Sequence, residues 1–298
     1  MSFEHLKGKP PYPFHTICMA VAFSPRWESL LSESAFLSRL SGAKLVLIHV
    51  GEKTTTKEQK ILKALEARQY DISKAQIIWK KGNTVKGILE ACKENAADLL
   101  VLGALRRENL LNFYLGSVAR TICRRAKCSI LLLENPRHTP APFKKVFVHV
   151  SDNPKTPHTL QTAEYLAGLY GFNAITAVRE IDFSGVAMAT ADSVTAGDTT
   201  RTKREISQTE EDSLHHALKV FKDTGLEIKE KTIKGKPGFA LSNYTREKKA
   251  DLLIINSPDQ KLGFLDRVFT HDLEFILEDL PSNVLIVHSR INANTSHE

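Results

Sequence analysis

The sequence is poor in cysteine: four are present, Cys18, Cys92, Cys123 and Cys128, and none follows residue 128. Cys123 and Cys128 stand five apart, which is not the two-residue spacing of a ligand pair, and nothing elsewhere complements them. A reduced, cytoplasmic setting is the expectation. No apolar run reaches 18 residues, so no segment reads as a membrane-spanning helix. The opening residues "MSFEHLKGKPPYPFH" lack the apolar core and small-residue cleavage site of a secretory signal. Aromatic residues are scarce where a nucleic-acid binder would need them. The net charge of +7 comes as scattered pairs, Arg106–Arg107, Arg124–Arg125, Lys144–Lys145, Lys203–Arg204 and Lys248–Lys249, interleaved with acids. Without aromatic stacking platforms these pairs read as a solvated surface, with neither nucleic acid nor membrane as partner.

Motifs for covalent or metal chemistry are missing as well. There is no G-x4-G-K-[ST] loop and no G-x-S-x-G elbow. Eleven histidines are present, but His215 and His216 are adjacent. On a helix they diverge by about 100° and cannot face one ion together. His149 and His288 fall inside strand patterns, where packing accounts for them, and His49 suits a structural hydrogen bond near a strand end. No metal site is expected, nor any general base or nucleophile for catalysis.

What the chain does contain is enough for two domains. Its 298 residues are 42% hydrophobic and 25% charged, as in ordinary globular proteins. "ICMAVAFSP" (17–25) aligns with "VFVHVSDNP" (146–154), and "GAKLVLIHV" with "GFNAITAVR", at an offset of 129 residues. "ADLLVLGA" (97–104) aligns with "ADLLIINS" (250–257), and Gly82 with Gly235, at an offset of 153. The second copy therefore carries 24 more residues, assigned to "IDFSGVAMATADSVTAGDTTRTKREISQ" (181–208). Rich in Ala, Thr, Ser and Gly, that stretch reads as a long irregular excursion. The copies span about 14–135 and 144–290, and "ENPRHTPAPFKK" between them reads as a linker, giving domains 1–138 and 139–298.

In each copy short apolar runs alternate with helix-patterned segments. "TICMAVAF", "KLVLIHV", "QIIW", "DLLVLG" and "SILLLE" suit buried parallel strands. Val85, Ile88, Leu89 and Cys92, and likewise Trp27, Leu30, Leu31 and Leu37, take the spacing of a helix with one buried face. The alternation predicts an α/β class with two tandem doubly wound domains, each built on a five-stranded parallel sheet. Ligands of such sheets bind beyond the C-terminal strand ends, which places residues 21–25, 50–53 and 102–118 around one crevice.

These segments resemble the universal stress protein superfamily in its tandem form. The resemblance rests on "MAVAFSP", "AKLVLIHV", "GNTVKGILEACKENAADLLVLGA" and "LGSVARTICRRAKCSILLL", and it covers nearly the whole chain. It implies an adenine nucleotide alpha hydrolase-like fold and a loop of the form G-x2-G-x9-G-[S/T]. Here the loop's spacing is kept as Gly103, Arg106 and Gly116–Ser117, with arginine in place of the middle glycine. Gly103 permits close backbone approach, and Gly116, Ser117 and Val118 open a helix whose amides favour an anion. Ser117 adds a hydroxyl or a cap, and Arg106 a guanidinium suited to phosphate. The implied site comprises Ala22, Phe23, Val50, Gly103, Ala104, Arg106, Gly116, Ser117 and Val118. Ala22 stands where nucleotide-binding members carry an aspartate.

In the second copy Asn256, Asp259, Phe269 and Thr270 take the loop positions, and Ser151, followed by Asp152, takes the aspartate position. Phosphate binding is not expected there. The resemblance implies ATP or another adenine nucleotide as ligand, with Mg only as its companion, and a stress-response role. It also implies that the two domains pack as an intramolecular pseudo-dimer through "SILLLE" and "NVLIVH", and it admits a homodimer of chains. Two further readings stay open: a ligand-independent interaction scaffold with vestigial sites, and slow ATP hydrolysis without a visible base.

Overall fold

The computed structural model describes residues 10–106, 113–183, 196–219, 225–257 and 271–289. The first half runs β1 (Thr16–Ala20), α1 (Trp27–Ser41), β2 (Lys44–Val50), α2 (Thr55–Glu66), β3 (Ala75–Lys80), α3 (Thr84–Glu94) and β4 (Leu99–Gly103). A short hairpin, β5 (Leu105–Arg106) with β6 (Phe113–Tyr114), leads to α4 (Ser117–Arg125) and β7 (Ser129–Leu133). The second half runs β8 (Val146–His149), α5 (Thr156–Tyr170), β9 (Ala174–Ile181), α6 (Ala196–Leu218), β10 (Glu227–Lys234), α7 (Phe239–Glu247), β11 (Leu252–Asn256), α8 (His271–Glu278) and β12 (Asn283–Val287).

Strands such as β2, with five consecutive residues buried, are covered on both faces and so carry continuous rather than alternating apolar residues. Local signals set the helix ends. Thr54 and Asn83 accept first-turn amides of α2 and α3, while Gly42 and Gly171, at φ 69° and 76°, close α1 and α5 in the left-handed region.

The strands form one sheet in the order β10-β9-β8-β11-β12-β7-β4-β1-β2-β3. Each half is parallel with its third, second, first, fourth and fifth strands in sequence, the doubly wound order. The halves join where β7 meets β12 antiparallel, with Leu132 opposite Val284, Leu131 opposite Leu285 and Ile130 opposite Ile286. Helices α1, α2, α5 and α6 cover one face and α3, α4, α7 and α8 the other, each face with a core running through both halves. Across the seam Tyr170 packs on Phe36, and Arg120 lies 3.5 Å from Glu274.

The repeat recurs in the hydrogen bonding. Asp98 accepts the amides of His15 and Thr16 at 2.8 and 2.9 Å; Asp251 accepts those of Lys144 and Lys145 at 2.9 and 2.8 Å. In both halves one carboxylate ties the start of the first strand to the start of the fourth.

The segment 181–208 departs from expectation. Residues 184–195 lie outside the described residues, but 196–208 belong to the 23-residue helix α6. Composition averaged over the segment hid a charged, helix-forming second part. Arg201–Glu205 and Gln208–Asp212 pair along it at 2.9 and 3.1 Å, and Leu214 and Leu218 anchor it in the core. They occupy the places of Ile61 and Leu65 of α2, at the same offset of 153, so α6 is α2 extended at its N-terminus.

Candidate functional site in the first crevice

In the first half the strand order reverses between β1 and β4, and the residues after their C-terminal ends frame a crevice. The fold brings Ala22 and Phe23 after β1, Val50 at the end of β2, Gly103 and Ala104 at the end of β4, and Gly116, Ser117 and Val118 at the start of α4 to that one edge. Arg106 pairs with Phe113 in the hairpin; its side chain lies outside the described part of the structure.

Neither loop glycine takes a left-handed conformation. Gly103 pairs with Leu133 inside β4 and is absent from the left-handed region. A Cβ on it would lie 3.7 Å from Leu30, an ordinary contact. Gly116 has φ −64° and ψ 162°; there a Cβ would come within 2.9 Å of Leu105 Cδ1. At position 116 glycine thus supplies room, not backbone freedom. Gly116 is the N-cap residue of α4, and among the described residues no side chain caps the helix there. Ser117 and Val118 are exposed at the first turn of α4, the end of a helix at which backbone amides lack intrahelical partners.

Around the β1–β2 end stands an aromatic cluster. Phe23, at φ 50°, packs edge-on against Trp27 and His49, with centroids 5.3 and 5.0 Å apart. His49 is buried, meets Trp79 at 5.2 Å, and its Nδ1 bonds the Val21 carbonyl at 2.8 Å, the structural role expected of it. Arg26, which the motif does not include, donates to the carbonyls of Ala104 and Glu134, clamping the turn after β4 to α1. Lys155 repeats the clamp by donating to Ser257 O at 3.1 Å. Both cations sit at an offset of 129 and both carbonyls at 153, a regularity available from the aligned copies.

The second crevice is filled by its own side chains. Arg179, at the place of Val50, is buried and donates to Asp152 and Glu210. Glu180, at the place of Gly51, accepts the amides of Gly238 and Leu241 at 2.9 and 2.8 Å, occupying the N-terminus of α7. Asp152 is thereby committed to Arg179 and to Ser213, whose hydroxyl donates at 3.0 Å. The hydrogen bond from Arg179 holds the Asp152 carboxyl below the usual carboxylate range. Asn256, at the loop position of Gly103, turns its side chain to α5, bonding Thr156 and Thr159. Asp259, Phe269 and Thr270 lie outside the described residues.

Residues 13–134 match the model of the Universal stress protein family. They form a universal stress protein domain. Solved structures similar to the whole chain include a universal stress protein from Pseudomonas aeruginosa UCBPP-PA14, with TM-score 0.66 and 14% identity, covering 92% of this chain and 93% of that one. A protein of unknown function from Pseudomonas aeruginosa PAO1 follows, with TM-score 0.65, 13% identity and 92% of each chain. A universal stress protein from Archaeoglobus fulgidus DSM 4304 gives TM-score 0.63 and 14% identity over 94% of this chain and all of that one. At such identities the likeness is one of fold. No curated protein matches the chain significantly. The universal stress protein fold extends to the second half, where the same strand order recurs. Among the described residues no helix is long and apolar enough to cross a membrane, and no group of three metal-capable side chains converges.

Proposed function

We propose that this universal stress protein binds an adenine nucleotide in its first crevice alone, as a regulatory ligand in the cytoplasm, occupancy rather than turnover being the signal. The observation that carries the reading is the exposed N-terminus of α4, uncapped among the described residues, at the switch point of the sheet and beside the bare end of β4. Phosphate would lie on the amides of Ser117, Val118 and Ala119, with Gly116 leaving the approach open. Mg would accompany the nucleotide. The second crevice, with Glu180 on its helix terminus and Arg179 neutralised, offers no comparable place.

Ala22 provides no carboxylate for ribose hydroxyls. One charge-assisted hydrogen bond is worth roughly 1.5–3 kcal/mol, so affinity is expected in the micromolar range or weaker. Titration calorimetry of the full chain with ATP should give one site per chain. Gly116→Leu, which covers the α4 amides, should weaken binding by at least about tenfold. Two sites per chain would overturn the asymmetry. No heat at millimolar ATP would favour the scaffold reading, which the closed second crevice already supports for its own half.

A further inference from the structure

The two crevices differ in charge at equivalent helix positions. Aligned through their buried anchors, Ile61 with Leu214 and Leu65 with Leu218, α2 presents Lys57 and Lys60 where α6 presents Glu210 and Ser213. Lys57 Nζ lies 3.4 Å from His49 Nε2 and 3.2 Å from the Glu52 carbonyl. Lys60 Nζ stands 5.7 Å from the Phe23 ring centroid and 5.5 Å from that of Trp27, over the turn that follows β1. Four other cations of this half are paired: Lys53 with Glu58 at 2.8 Å, Lys80 with Glu94 at 2.7 Å, Lys86 with Glu90 at 3.8 Å and Arg68 with Glu28 at 3.6 Å. Among the described residues neither Lys57 nor Lys60 has a carboxylate within 4.0 Å. Two uncompensated ammonium groups thus flank the strand end remote from α4, held by aromatic faces and a ring nitrogen, and Ala22 brings no negative charge between them.

In nucleotide crevices of this topology an acid at the strand end selects free ribose hydroxyls, and a base there accommodates a ribose phosphate. We propose that the first crevice takes an adenine nucleotide phosphorylated at both ends of its ribose, the 5′-phosphate on the α4 amides and a 2′- or 3′-phosphate between Lys57 and Lys60. The proposal rests on the nucleotide reading above and adds its selectivity. Lys60 exchanges a cation–π contact for an ion pair, and Lys57 turns from a carbonyl to an anion, neither needing a backbone change.

The test is calorimetry on the full chain with adenosine 5′-monophosphate and with adenosine 2′,5′- and 3′,5′-bisphosphate. One bisphosphate should bind at least about tenfold tighter than the monophosphate. Lys57→Gln with Lys60→Gln should bring the ratio to about one, the exposed Lys60→Gln alone should reduce it by about threefold, and Lys86→Gln on α3 should leave it intact. Equal or weaker binding of both bisphosphates, or a preference that survives the double substitution, overturns the selectivity while the nucleotide reading stands. Binding of none of these nucleotides, nor of ATP, overturns the nucleotide reading and the selectivity with it.

Discussion

Replacing Leu132 with aspartate should cost about 4–5 kcal/mol or more, most of the stability of an ordinary domain. Leu132 is fully buried in β7, between Leu102 of β4 and Val284 of β12. It belongs to the core shared by α3, α4 and α8, so a carboxylate there has neither water nor a counter-ion. Leu105→Asp is the control: that side chain is 47% exposed and the change should stay within about 0.5–1 kcal/mol. The seam also makes a statement about cooperativity. Both cores contain side chains from both halves, so neither half can open without exposing apolar surface of the other. Both tryptophans, Trp27 and Trp79, lie in the first half, whereas circular dichroism reports on all helices. Denaturant curves from tryptophan fluorescence and from circular dichroism should coincide, and Leu132→Asp should move them together. Fluorescence that shifts while a second transition stays in place would show that the halves fold separately.

The strands were legible because burial on both faces writes them as unbroken apolar runs. "KLVLIHV" and "SILLL" could be bounded almost to the residue, and the internal repeat implied the same succession of strands in both halves. The helices were legible only on their sheet side. Trp27, Leu30, Leu31 and Leu37 gave α1, yet Ser29, Ser32, Ser34 and Ser38 are buried as well, because α1 is also packed against α2 and α5. Ser32 and Ser34 are satisfied by the Glu28 and Leu30 carbonyls one turn back, at 3.1 and 2.8 Å, while Ser38 bonds Ala43 O and the Tyr70 hydroxyl. A polar residue that meets its need within a turn of its own helix leaves no hydrophobic signature. At the site, spacing located the crevice but could not supply direction. Gly103 faces α1 rather than the phosphate side, and Asn256 faces α5. Arg26, Lys57 and Lys60 reach the crevice from helices, a relation that no spacing along one strand or loop encodes. The second crevice carried a readable signal: the offset of 129 puts Arg179 and Glu180 on Val50 and Gly51, two charges where the first copy has none.

Those charges should give the protein a distinct acid limb, through His149. On β8 its ring is pushed down to about 4, first by burial and then by the Arg179 guanidinium. Glu180 lies 3.5 Å away and would pull the other way, but its oxygens are engaged by the amides of Gly238 and Leu241. The folded protein therefore keeps His149 neutral where the unfolded chain, titrating near 6.5, takes up a proton. Between these values the unfolded state binds more protons, so stability falls as pH drops from about 6.5 to about 4. With the side chain 24% exposed, the loss should be about 2–3 kcal/mol. Asp152 acts in a separate window. Its lowered carboxyl contributes above the ordinary carboxylate range, and that contribution disappears only as pH falls through its folded value. Urea midpoints measured from pH 7 to pH 4.5 should decline for the native chain, and His149→Gln should flatten that decline. Were Glu180 the dominant neighbour, His149 would be charged in the fold and the midpoint would rise as pH fell through 6.5. That opposite slope would show the second crevice to be governed by its carboxylates and not by Arg179.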